Sequence, residues 1–171
     1  MMKTTRIAAA ARAGMAPLAL AALLLTASAC TSEPEAPAAP AAAADSVEGV
    51  AISNPRIVLN AVQGQPAVAY FDLVYTGTRG LTIRKAEVEG AGMTMMHDYG
   101  EYNGARQMMD ALPVAITNGT EVSFQPGGLH IMAMDPPADW APGGTAKVTL
   151  TMSGGATHSF DAPIRGPGEE R

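Results

Sequence analysis

The stretch Leu129-His130-Ile131-Met132-Ala133-Met134 decides how this chain folds. Side chains two apart point to the same face of a β-strand, so Leu129, Ile131 and Ala133 form an aliphatic face while His130, Met132 and Met134 form the other. One imidazole and two thioethers are an odd choice for a merely solvated surface. The same period in Met93-Thr94-Met95-Met96-His97-Asp98 sets Met93, Met95 and His97 together, with Thr94, Met96 and Asp98 opposite. Around these two segments, short β-favouring runs are punctuated about every 8 to 12 residues by Gly, Pro or Asn, and no segment keeps a helical period for three turns. The expected class is all-β, with strands near 49–53, 56–60, 67–76, 80–88, 93–98, 106–109, 113–116, 120–124, 129–134, 145–152 and 157–163. Turn signals at Thr76-Gly77-Thr78, Glu89-Gly90-Ala91-Gly92, Asn118-Gly119, Pro126-Gly127-Gly128 and Ser153-Gly154-Gly155 separate several of them. A sandwich or barrel of seven or more strands is the default for such spacing.

The ends of the chain have a different character. Residues 1–29 carry Lys3, Arg6 and Arg12 followed by an apolar run over 15–29 that contains Pro17, the pattern of an export signal. A spanning helix needs about 20 apolar residues, so a permanent transmembrane anchor fits less well. Leu25-Thr26-Ala27-Ser28-Ala29 before Cys30 resembles a bacterial lipobox, which makes Cys30 the lipidation site and first mature residue; an ordinary Ala-x-Ala cleavage leaving a free thiol is the alternative. Acyl chains on Cys30 would hold the protein on a membrane surface. The rest of residues 30–46 is dominated by Ala, Pro, Glu and Ser and reads as a semi-rigid linker. This leaves residues 47–165 as one β-sandwich domain and 166–171 as a fraying polar tail.

Charge and cysteine content exclude several functions. Without the leader, eight basic residues face sixteen acidic ones, a net charge of −8, which speaks against nucleic acid as a partner. A single cysteine allows no internal disulfide, zinc ribbon or Cys-x-x-Cys redox pair.

The remaining chemistry lies in three histidines and eight methionines within the domain. Thioether sulfur is a soft neutral donor and imidazole a borderline one, so together they suit Cu(I). Hard cations would call for carboxylates, and the acidic residues are scattered along the sequence. A blue-copper centre needs a thiolate, which only Cys30 could supply.

The spacing is sharper still: His97, ten residues, Met108, twenty-one residues, His130, one residue, Met132. With this H-x10-M-x21-H-x-M pattern the chain resembles the periplasmic copper chaperone family called PCu(A)C, over roughly residues 50–163. The resemblance extends to Ala67-Val68-Ala69-Tyr70-Phe71 and to Pro126-Gly127-Gly128-Leu129-His130. It implies a cupredoxin-like β-sandwich with Cu(I) held near its surface by His97, Met108, His130 and Met132. It also implies periplasmic delivery of copper to cytochrome c oxidase assembly, through the oxidase copper subunit or a Sco-type protein. Two features depart from the family: Pro55-Arg56-Ile57 stands where a tryptophan is usual, and no His/Met-rich tail follows the domain.

Three further readings accompany this one: copper buffering without a dedicated recipient, an interaction module whose methionines only pack, and an enzyme. The last finds no Ser-His-Asp order or close carboxylate pair, so the expectation is a non-enzymatic protein. Met93, Met95, Met96, Met109 and Met152 are expected to pack in or around the core, since a methionine is more often filler than ligand. Met134 shares the face of His130, and whether it or Met95 also ligates is open. His158, between Thr157 and Ser159, is expected on the solvated surface, and Trp140 is expected to cap one end of the sandwich.

Overall fold

In the computed structural model, residues 45–169 are described. The expected export leader, the expected lipidation site Cys30, nearly all of the expected linker and the last two residues of the tail lie outside them. Ten strands follow in order: β1 (Val50–Val58), β2 (Ala67–Tyr75), β3 (Leu81–Val88), β4 (Met93–Tyr102), β5 (Ala105–Asp110), β6 (Val114–Ile116), β7 (Thr120–Phe124), β8 (His130–Met134), β9 (Thr145–Met152) and β10 (Thr157–Arg165). The only helical element among the described residues is a 3-10 turn at Ser153–Gly155, at the Ser-Gly-Gly turn signal.

The strands form a continuous ladder in the order β5-β4-β8-β2-β1-β10-β9-β3-β6, with β7 also paired to β2. One short parallel contact, Ile57↔Ile164 and Val58↔Arg165, joins the first five strands to the last four. The two halves fold face to face. Phe71, Leu73 and Ile131 of one and Ile83, Val148, Leu150 and Met152 of the other share a single buried cluster. At its centre Phe71 stacks on Phe124 across the β2–β7 pair at 4.1 Å between ring centroids and meets Phe160 of β10 edge-on at 4.9 Å. This is the expected all-β sandwich.

Two local features alter the anticipated strands. The runs 49–53 and 56–60 are one strand, β1, with a bulge where its register against β2 shifts between Ser53 and Arg56. Asn54 adopts φ 52° there and Pro55 has no N–H to give a ladder, so an irregularity is the low-cost solution. Asn54 Nδ2 and Ser123 Oγ both donate to the Asp72 carboxylate at 2.8 Å, which holds its pKa below the usual range. The second feature is β4, which runs to Tyr102 and turns directly into β5 through Asn103-Gly104. Both turn residues have positive φ, 52° and 74°, the two-residue hairpin geometry whose twist matches that of its strands.

His158 is not on the solvated surface. It is 9% exposed, on the inward face of β10 with Ala162 and Ile164, and its Nδ1 accepts the Val47 N–H at 3.1 Å. Its polar neighbours in sequence face outward, as alternation along a strand requires. Trp140 packs against the core cluster from its margin, and Met152 is part of that cluster. Met93 and Met109, by contrast, are substantially exposed.

Burial without full polar compensation lowers the His158 pKa. As pH falls through about 6.5 the unfolded chain takes up this proton first, so the stability contributed by neutral His158 is complete above that value and is lost as pH drops toward the depressed folded-state pKa. The melting temperature should therefore fall between about pH 7 and pH 5.5 by less in His158→Gln than in the parent. An equal fall in both proteins would show that His158 does not contribute.

Candidate metal centre

The site begins with the pairing of β8. Its inner residues, Ile131 and Ala133, are fully buried, and they lie opposite Ala69 and Ala67 of β2. Its outer residues meet β4 on the other side: His97↔His130, Met95↔Met132 and Met93↔Met134 are direct cross-strand pairs. The two half-sites that stand apart in the sequence thus form one row on one face. Strand β5 extends that face, because Asp110 pairs with His97 and Met108 pairs with Tyr99. Met108 is a diagonal neighbour of His97, about 7–8 Å away at the backbone and within reach of a long side chain. All four candidate ligands therefore project from the same side of three adjacent strands.

The two imidazoles are held differently, and their partners are the basis for assigning a tautomer to each. His130 is only 4% exposed, and its Nδ1 lies 2.7 Å from the Gly128 carbonyl oxygen. A carbonyl only accepts, so in the neutral ring the proton is on Nδ1 and the Nε2 lone pair is left for another partner. In His97 the Nε2 lies 3.3 Å from Asp110 Oδ1 while the Nδ1 lies 3.0 Å from the Met132 sulfur. The carboxylate again takes the N–H, which leaves the Nδ1 lone pair facing a thioether. Two soft or borderline donors converging in this way fit a soft cation, and carbonyl or carboxylate partners behind the rings are the usual means of orienting ligating histidines. The rings of His97 and His130 are 5.8 Å apart, edge to face.

A side-chain strap ties β5 to the loop before β8. Arg106 on β5 donates to the Gly127 carbonyl in the loop before β8, and its guanidinium lies 4.8 Å from the centroid of the Tyr99 ring. Tyr99 in turn sits 5.8 Å from His130. The loop itself is tightened by Gln125 N–H to Leu129 carbonyl and Gly128 N–H to Gln125 carbonyl hydrogen bonds of 2.8 and 3.0 Å.

Asp110 sets a single carboxylate beside His97, 3.3 Å from its Nε2, a pairing that the scatter of acidic residues along the sequence does not show. Its position follows from the Asn103-Gly104 turn, which pairs Tyr102 with Ala105 and, counting outward, His97 with Asp110. Contrary to expectation, Met93 does not pack in or around the core but lies 54% exposed on the outer face beside Met134, while Met109, itself 44% exposed, covers Gly100, where an added Cβ would overlap its methyl group. Among the described residues no group of three or more His, Cys, Asp and Glu is placed to hold a metal ion.

A profile of the LpqE-like lipoprotein family matches residues 50–164. The chain belongs to that family. A protein of Leifsonia xyli subsp. xyli (strain CTCB07) named as a lipoprotein, Lxx21020, is 28% identical over 166 residues, 96% of this chain and 93% of its own length. Among solved structures, the copper-bound PCuAC domain from PmoF2 superposes with a TM-score of 0.56 at 20% identity, over 71% of this chain and 97% of that one. The Cu(I) form of DR1885 from Deinococcus radiodurans gives 0.55 at 20% identity, over 75% and 85%. This LpqE-like chain therefore has the PCuAC-domain fold, the family to which its His/Met spacing points.

The tautomers give a direct check. Long-range 1H–15N spectra of the metal-free protein near pH 8 should show His130 as the Nδ1–H form and His97 as the Nε2–H form. An Nε2–H form of His130 would contradict the Gly128 contact.

Proposed function

We propose that this LpqE-like protein is a lipid-anchored Cu(I) carrier of the bacterial periplasm, in which His97, Met108, His130 and Met132 hold the ion. The observation that carries the proposal is the approach of His97 Nδ1 to Met132 Sδ at 3.0 Å, on the strand face that also carries His130 and Met108. The copper bound by the PmoF2 PCuAC domain and the Cu(I) bound by DR1885 support the choice of metal. The lipoprotein name of its family and of its relative supports Cys30 as the anchor.

The chemistry favours a carrier over an enzyme. Four neutral donors leave the bound ion its full positive charge, and a half-exposed thioether such as Met108, 44% accessible, is a ligand that an incoming donor can displace first. Permanent storage would gain from thiolates. Delivery to cytochrome c oxidase assembly, to the copper subunit directly or through a Sco-type protein, is the recipient we propose. Inner and outer membrane are equally compatible with the anchor.

One tightly held Cu(I) per chain is expected by chelator competition under reducing conditions. His97→Ala or His130→Ala should weaken binding by about tenfold to a hundredfold or more, with Met108→Ala and Met132→Ala in the same direction and His158→Gln unchanged. Full retention in both histidine variants would refute the site.

Replacing Cys30 by Ser should release the protein from membranes with copper binding intact; a membrane-extracted protein whose intact mass shows no acyl chains would refute the anchor. In cells, replacing His130 and Met132 together should lower oxidase activity at limiting copper, with recovery on added copper. Normal oxidase activity accompanied by greater copper sensitivity would point to buffering instead.

A further inference from the structure

The sulfur-bearing face does not end at the candidate copper site. Along the β4–β8 pair the rungs read His97↔His130, then Met95↔Met132, then Met93↔Met134. Directly opposed side chains on one face have Cβ atoms about 4.5–5.5 Å apart, and successive rungs on that face are separated by about 7 Å. Met132 is engaged with His97. This leaves Met95 beside Met132 on the same rung, and Met93 and Met134 one rung further on, as a second set of thioethers.

Packing does not account for these three. None belongs to the buried core or to the partly buried residues packed against it, whereas Met96, on the opposite face of β4, does. Met93 is 54% exposed, and Met95 and Met134 are only partly buried. An outward strand position in water is ordinarily filled by a polar or β-branched residue. Here three unbranched thioethers occupy neighbouring positions on two paired strands, with no carboxylate at the same rungs. Such a donor set is neutral, soft and flexible, and it selects monovalent soft cations over hard or divalent ones.

We propose that Met93, Met95 and Met134 form a second, weaker Cu(I) site, through which the ion passes on its way to or from the His97–Met132 site. The inference rests on the soft-cation reading of the His97 face and adds a route to it. Met95 stands on the middle rung, opposite Met132 and next to the Met93↔Met134 rung, so it remains in reach while the ion exchanges Met93 and Met134 for Met132 and the histidines. No change of oxidation state is involved; each step swaps one neutral donor for another.

Silver(I) is a redox-inert probe of both sites. The test uses the full chain with Cys30→Ser, so that no thiol competes, and with 13C-labelled methionine methyl groups. The first equivalent of Ag(I) should shift the Met108 and Met132 methyls and the His97 and His130 ring signals. A second, binding about tenfold or more weakly for want of imidazole, should shift Met93 and Met134, with Met95 responding to both.

Met93→Leu combined with Met134→Leu keeps the apolar volume; it should abolish the second event and leave the first. Stationary Met93 and Met134 methyls through several equivalents, or an unchanged second event in the double variant, would overturn the proposal. Stationary histidine signals with moving Met93 and Met134 methyls would instead overturn the primary site alone.

Discussion

Burial of Ile131 and Ala133 is the constraint on which the rest depends. Both are fully buried between the layers, and burying an isoleucine side chain is worth about 1.5–3 kcal/mol. Because the strand period is two, a slip of β8 by one residue would drive His130 and Met132 into the core and bring Ile131 out to water. The apolar half of the strand thus sets the direction of the polar half. Its neighbours reinforce the choice, with the small Ala67 and Ala69 of β2 on one side and β4 on the other. Ligand placement follows from core packing and asks nothing of the ligands themselves.

What packing does not supply is the orientation of each imidazole. That comes from groups chosen for acceptance alone: the Gly128 carbonyl behind His130 and the Asp110 carboxylate beside His97. One is backbone in a tightly hydrogen-bonded loop. The other is a side chain 83% exposed to water, where charge interactions are screened. The His130 ring is accordingly the more firmly set of the two. Arg106 links the same loop to β5, so the strand that carries Met108 and the loop that orients His130 are not independent.

Much of this arrangement is legible in the amino-acid sequence. Alternation in 129–134 and 93–98 separates core face from sulfur face, and the spacing of His97, Met108, His130 and Met132 points to a shared site. Where sequence and fold differ, the causes are physical. The polar neighbours of His158 suggest a solvated position, yet its strand period, shared with Ala162 and Ile164, turns it inward. Asp110 escapes notice because cross-strand partners do not show in the period of a single strand; only the Asn103-Gly104 turn connects it to His97. The bulge at Asn54-Pro55 makes one strand read as two. Gly128 acts through its carbonyl, a group every residue has, so no side-chain pattern marks it.

Strand β5 lies at the outer end of the ladder, and all six of its residues are exposed. Such edges are the first parts of a sheet to open, at a small fraction of the free energy of global unfolding. Fraying of the β4–β5 hairpin would withdraw Met108 from the face while His130 and Met132 stay on β8, an interior strand whose inner residues are anchored in the core. If Met108 ligates as proposed, the coordination number would be coupled to a local breathing motion, and the amide exchange rates of 105–110 would also measure how often the site stands one donor short.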